Sequence, residues 1–539
     1  MANSEKQDEK KPETIEFEDI DISRPDILEQ PVNRFRRCPI IVTLADPQIT
    51  PVDIQQMLEC GINIVKFKMS YSSKGDKLRM IGKLDKAADA CCRKFGISEW
   101  PIATCVELKT IVVKTGLLEN NADQVKITKG SVVKITCNMD EYNRCNDHNI
   151  FIDNPYLESD IPIGTEISIA SDEIILHCIE KIDFENINCI VIKGGILKNV
   201  CNFCARGISP TRPNITKKDL EIVNFALAYQ IDMIVVNYVR NAETIKEIKK
   251  HIGNKIAKPL IFCGLCTGED LENADEIIKE CDGVIFARDF LPYETSASLK
   301  LRLPQIQKWI SSKCLQAGKP MYLSGGVFKE AICTGVFHIN EISDVVNAIM
   351  DGVSGFVLQD CFDVDLALQV LRALNELCYF VEPLVTSKIN FWRILDEVKM
   401  PINAAEAAVI SCAMVANLSK ARVIVIPTVS GKTMKALHWM RPSALIITVS
   451  TKLSIIRLLH TYRGVMPLMY KVNQEKPFKD WYEAIEDRVK YAIEYAVQRG
   501  WLQYRDYYVT LQRGADNSSF CDMVRVWEVS ISKKHLVEC

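Results

Sequence analysis

Short apolar runs recur at regular intervals along this chain, with helix-like segments between them. The runs are Ile40–Ala45, Asn63–Met69, Pro101–Leu108, Asp232–Tyr238, Pro259–Leu265, Gly283–Asp289, Met321–Ser324 and Gly355–Gln359. Each is rich in Val and Ile and almost continuously hydrophobic, as strands covered on both faces are. Helical spacing follows or precedes them at Val52–Leu58, Leu220–Tyr229 and Leu271–Glu280. Alternating strand–helix units of this number predict an α/β fold, a (β/α)8 TIM barrel.

The rhythm breaks once. Between the third and fourth runs, residues 117–214 alternate Thr, Val and Ile with polar residues, and Asn and Asp mark turns. That pattern predicts a small inserted β domain. Beyond the eighth run, Val370–Leu377 and Ala404–Leu418 have helical spacing. A second α/β set follows at Val423–Thr428, Leu445–Thr451, Met466–Tyr470, Tyr507–Gln512 and Val524–Val529. The expected plan is a disordered tail over 1–35, a barrel over 36–116 and 215–380, a β insertion over 117–214, and a C-terminal α/β domain over 381–539. A length of 539 residues suits several domains.

Composition narrows the function classes. Lys+Arg 66 against Asp+Glu 69 gives a net charge of -3, without the basic excess of a nucleic-acid binder. No stretch has the apolar length of a membrane span; the nearest, Pro401–Asn417, carries Glu406 and is alanine-rich. The first 30 residues are acid-rich and lack a signal or transit pattern, so a cytoplasmic location is expected. The 21 cysteines are scattered, which fits reduced thiols in such a compartment. Cys201-Asn202-Phe203-Cys204 has C-x-x-C spacing with His177, Cys178 and Cys189 elsewhere in the insertion. Zinc needs a second paired ligand set, and none is evident, so these read as structural thiols.

From about Arg36 onward the chain resembles the pyruvate kinase family, and the match is collinear. It is carried by Thr43-Leu44-Ala45, Gly61–Phe67, Lys114-Thr115-Gly116, Asp275-Glu276-Ile277 with Cys281-Asp282-Gly283 and Ala287-Arg288, Ala317–Pro320, and Ser343-Asp344-Val345 with Asp351-Gly352. The resemblance implies a barrel with a β-barrel lid domain and a three-layer C-terminal effector-type domain. It implies phosphoryl transfer from phosphoenolpyruvate to ADP with Mg and K ions, and a tetramer. Such chemistry needs carboxylates for the metal and cations for the moving phosphate, at the C-terminal ends of the strands.

Several of those positions have changed. By the resemblance, the catalytic lysine is Gly264 and a metal glutamate is Cys266. The second metal carboxylate is Phe290, flanked by Asp289 and Pro292 where the family has glycines, and the proton-relay threonine is Gly325. Neither a thiol nor a phenyl ring is a hard oxygen ligand for Mg²⁺. Losing one stabilising electrostatic group costs about 10²–10³ in rate. Remnants persist: Lys66 and Arg240 for phosphate-binding arginines, Ser70, and Lys68, Ser70 and Glu107 (with Leu108) at the monovalent-cation site. The Lys68 ammonium either fills that site against Glu107 or extends to solvent; Arg240 is either a phosphate ligand or one half of a structural ion pair. A lysine pair of the lid has become Val200-Cys201.

The C-terminal domain keeps more. Thr428-Val429-Ser430-Gly431-Lys432-Thr433 follows a strand and opens a helix. Helix N–H groups, hydroxyls and a lysine suit a phosphate, although Ile426 stands where a P-loop needs glycine. The alternative is an ordinary capped turn. The family's sugar-bisphosphate site uses this loop with a tryptophan and an arginine that match Trp481 and Arg488; its last loop, Arg513–Phe520, is partly kept. The expected function is a homologue that has lost most phosphoryl transfer. It would serve as a phosphometabolite-binding or regulatory subunit, alone or in mixed oligomers with an active pyruvate kinase. The alternatives are an active Mg-dependent kinase with a rebuilt site, and a structural protein.

Overall fold

The computed structural model describes residues 35–44, 46, 48–67, 74–108, 113–208, 211, 215–253, 258–359, 361–385, 387–398, 400–472, 478, 480–516 and 518–530. The expected tail therefore lies outside the described residues, apart from Phe35. Phe35 packs edge-on against Trp501, with ring centroids 5.0 Å apart, and so belongs to the folded part.

Eight parallel strands close into a barrel: β1 Ile40–Leu44, β2 Ile64–Phe67, β3 Ala103–Glu107, β4 Met233–Asn237, β5 Leu260–Leu265, β6 Gly283–Ala287, β7 Met321–Ser324 and β8 Gly355–Leu358. Each forms inside the run expected of it. Val- and Ile-rich segments fit a pleated surface covered on both sides. Alternate residues split between two cores. Ile41, Ile64, Cys105, Val235, Phe262, Ile285, Tyr322 and Val357 fill the barrel interior. Their neighbours Val42, Val65, Val106, Ile234, Ile261, Phe286, Leu323 and Phe356 face the surrounding helices. The same period of two points the next residues, at the C-terminal strand ends, into the barrel mouth.

Helix Pro51–Glu59 starts at a capping box between Thr50 and Asp53. Lys217–Ala228 does the same with Thr216 and Asp219. The segment expected as one helix over Leu271–Glu280 is two, Gly268–Glu272 and Ala274–Glu280. Asn273 breaks it, and its amide donates to the Arg240 carbonyl at 2.7 Å.

The insertion is a seven-stranded sheet with a two-stranded ribbon, Gln124–Ile127 with Gly195–Lys198, rather than one closed ladder. Its sheet starts at Val113, before the expected boundary, because Val113 and Lys114 pair with Asn202 and Phe203 where the chain leaves and re-enters the barrel. It has its own core around Ile135, Ile150, Ile167 and Ile187.

The C-terminal domain is a five-stranded sheet in the order Val465–Met469, Leu445–Ser450, Val423–Pro427, Tyr507–Gln512, Met523–Glu528, with the last strand antiparallel. Helices Ala404–Leu418 and Lys432–Trp439 cover one face and Trp481–Gln498 the other, giving three layers. The domain closes the base of the barrel. The Tyr322 hydroxyl donates to the Thr461 carbonyl at 2.9 Å, and Arg457 Nε meets Asp232 Oδ1 at 3.1 Å.

Candidate functional site

Strand alternation turns Lys66, Glu107, Asn237, Gly264, Asp289, Ser324 and Gln359 toward the barrel mouth. They meet one another. Lys66 Nζ lies 3.1 Å from Glu107 Oε2, with both side chains largely buried. Asn237 Nδ2 donates to the other oxygen of Glu107. Gln359 Nε2 donates to Asp289 Oδ2 at 2.9 Å and to Ser324 Oγ at 2.6 Å. Burial opposes charge on Lys66, but Glu107 and Asp289 outweigh it and hold the ammonium above its usual pKa. Burial pushes the Asp289 carboxyl up, against the Gln359 bond and the Lys66 charge.

The positions that the resemblance marks as changed each have a close neighbour. A Cβ on Gly264 would stand 1.9 Å from Asn237 Oδ1. Gly325 has φ +77°, and a Cβ there would lie 2.3 Å from the Asp289 nitrogen. Cys266 is fully buried, and its thiol donates to the Gly264 carbonyl at 3.5 Å. The Phe290 ring packs edge-on against Tyr238 at 5.7 Å. Arg240 Nε lies 3.9 Å from Glu269 Oε2. Lys68 and Ser70 lie outside the described residues. The lysine seen on Glu107 is Lys66.

Among the described residues, no three His, Cys, Asp or Glu ligand atoms converge at the mouth. Cys201 and Cys204 have separate partners: Cys201 Sγ faces the Lys198 carbonyl at 3.2 Å, and Cys204 Sγ faces Glu294 Oε2 at 2.9 Å. The cysteines described are free thiols.

Where lid meets barrel, Glu294 also accepts the Tyr238 hydroxyl at 2.9 Å. Burial pushes its carboxyl up to about 7, against the bonds from Cys204 and Tyr238. Lys300 of the barrel pairs with Asp172 of the lid at 2.9 Å. Sequence reasoning missed Asn237, Ser324, Gln359, Tyr238 and Glu294. Counting inward parity to each strand end would have found the first three; the last two bond to each other directly and meet Cys204 only where the lid docks.

The C-terminal loop has a different character. Thr428 Oγ1 accepts the Gly431 N–H at 2.9 Å. Gly431, at φ +76°, caps helix Lys432–Trp439 with no side chain on its N–H groups. Ser430 and Lys432 are exposed. Thr433 Oγ1 reaches Cys521 Sγ at 3.4 Å, which ties the loop to the Arg513–Phe520 segment. Arg513 lies over the Trp481 ring, 5.7 Å from its centroid. Arg488 Nε is buried without a partner, and burial, with Arg513 nearby, lowers its pKa. Trp481 and Arg488 thus neighbour Arg513, and Thr433 neighbours Cys521, along the same segment.

Sequence comparison matches the barrel and the sheet domain alike. The pyruvate kinase barrel-domain family matches residues 35–360, and the pyruvate kinase alpha/beta-domain family matches 406–527. The chain belongs to the pyruvate kinase family. It is 24% identical over 507 residues to human pyruvate kinase PKLR, covering 94% of this chain and 87% of that one. With pyruvate kinase 1 of Saccharomyces cerevisiae it shares 24% over 479 residues, 88% of this chain and 93% of the yeast protein. No helix among the described residues is long and apolar enough to cross a membrane.

Proposed function

We propose that this pyruvate kinase relative has given up efficient phosphoryl transfer. It acts instead as a phosphometabolite-binding or regulatory subunit in the cytoplasm, in homo-oligomers or mixed oligomers with an active relative. The carrying observation is at Gly264: the position that should supply a cation has no side chain, and Asn237 Oδ1, on the carboxamide that bonds Glu107, stands where one would begin. Lys66, the nearest cation, already has a carboxylate partner. Phosphoryl transfer depends on positioned cations and a metal, and four changed positions act together.

Purified protein given phosphoenolpyruvate, ADP, Mg²⁺ and K⁺ should form pyruvate at least about a thousandfold more slowly than an ordinary pyruvate kinase. A rate near the ordinary one would sink the reading. The exposed Ser430 and Lys432, and the N–H groups of helix Lys432–Trp439 without a side-chain cap, support the binding role. Fructose 1,6-bisphosphate should raise the unfolding temperature in a saturable way.

A rebuilt active site is the second reading. Asp289 and Glu107 both act on Lys66, so two carboxylates do share the mouth. Mg²⁺-dependent turnover abolished by Asp289→Asn would favour it.

A further inference from the structure

A second cationic site lies at the opposite end of the barrel, where the C-terminal domain closes the base. A cavity with about 50 Å³ of water-accessible volume is lined there by Arg37, Glu382, His438, Arg441 and Arg463. That is room for a few waters or one small oxyanion. Arg37 and Glu382 belong to the barrel side, and the other three to the C-terminal domain.

The charges do not balance. Three guanidinium groups face one carboxylate, a net of +2 from 3 − 1. Both oxygens of Glu382 already accept backbone N–H groups, from Arg37 at 2.6 Å and Cys38 at 2.7 Å. Among the described residues no carboxylate ion-pairs with Arg37, Arg441 or Arg463. Their hydrogen-bond partners are neutral: the Ser443 carbonyl for Arg37, Ser354 Oγ at 2.9 Å for Arg441, and the Val353 carbonyl at 2.9 Å for Arg463. Such bonds orient a guanidinium without neutralising it, and the one carboxylate, Glu382, acts on both Arg37 and Arg463.

His438 adds an independent sign. It is 2% exposed and lines the cavity, and neither ring nitrogen has a partner; Arg441 Nε is also buried and unpartnered. Burial, then Arg441 and Arg463, keep the imidazole neutral, with one N–H to give. Arg441 also holds a left-handed backbone, φ +46°. Strain of this kind gathers where a side chain must be aimed. Unpartnered buried polar groups and unbalanced buried charge are each costly, and one small anion would relieve both.

We propose that this cavity binds a small phosphate-class oxyanion, held by Arg37, Arg441, Arg463 and the His438 N–H, which pins the C-terminal domain to the barrel base. The site is separate from the loop at Thr428–Thr433 and stands or falls independently of it.

The test uses the full-length protein and inorganic phosphate. Thermal unfolding in phosphate, against chloride at equal ionic strength, should show a saturable rise in the unfolding temperature. A Ser430→Ala, Thr433→Ala double variant removes two of the effector loop's three hydroxyls and should keep that rise, while losing the response to fructose 1,6-bisphosphate. Arg441→Met or His438→Leu should weaken the phosphate response at least tenfold. An unchanged response in a folded Arg441→Met variant would overturn the proposal, as would no saturable rise in the wild type. Selenate soaked into wild-type crystals gives a reading that needs no variant. An anomalous peak between Arg441 and Arg463 supports the site, and its absence at saturating selenate refutes it.

Discussion

The barrel mouth and the loop at Thr428–Thr433 are both polar sites at the ends of parallel strands, yet they spend their polar groups differently. In the mouth, Lys66, Glu107, Asn237, Asp289, Ser324 and Gln359 satisfy one another. In the loop, Ser430 and Lys432 face solvent and the helix N–H groups have no side-chain cap. Residue type alone does not separate the two, since each holds a lysine and hydroxyls or carboxamides. Closure does: a set of groups bonded to itself offers a ligand little, whereas unspent donors offer a phosphate a place.

Breaking the mouth's internal pairing should have the largest effect. Lys66→Met leaves Glu107 buried beside Asn237 without its cation, and should destabilise the protein by about 3–5 kcal/mol. Adding Glu107→Leu should return part of that loss, read from denaturant midpoints of the two variants. If the double variant is no more stable than Lys66→Met, the mouth is not a self-neutralised unit. Gly325→Thr restores the residue type that the resemblance expects, but in a left-handed backbone and against the Asp289 nitrogen. It should cost about 2–5 kcal/mol and bring back no turnover. A gain of pyruvate formation in this variant would show that the mouth is open after all.

A pH experiment sharpens the contrast at the lid junction. Glu294 is pushed up to about 7 in the fold, from an ordinary 4.5. Its neutral form is therefore the favoured one. The stability this contributes is complete below the unfolded value and is lost as pH rises through the folded value. Glu294→Gln stays neutral, so wild-type unfolding temperature should fall relative to the variant between about pH 5 and pH 8. Parallel profiles would remove Glu294 from the account.

The smallest effect on stability is expected in the loop. Thr433→Ala removes one half-buried hydroxyl facing Cys521 and should change stability by less than about 1 kcal/mol. It should nonetheless cut the stabilisation by fructose 1,6-bisphosphate severalfold. An equal response in variant and wild type would leave the loop as an ordinary turn.

The eight apolar runs place every barrel strand, because burial on both faces leaves an unbroken Val/Ile signature in the sequence. The β insertion and the C-terminal sheet are legible for similar reasons, through alternation and turn residues. Boundaries are less so. At the helix break, the Asn273 side-chain amide bonds a carbonyl that Arg240 brings from another unit. The altered residues at 264, 266, 290 and 325 can be read in the chain, but what fills the space beside them cannot. That Asn237 seals Gly264, or that Lys66 is the lysine on Glu107, follows from the side-by-side register of neighbouring strands.

The sequence by itself determined the barrel, its insertion and the second sheet domain, since these are properties of local pattern and residue type. Tertiary structure alone decided which remaining groups are spent and which are free. Pairing between residues far apart in the chain depends on distances of a few ångströms, and those are set only when the strands close and the domains dock.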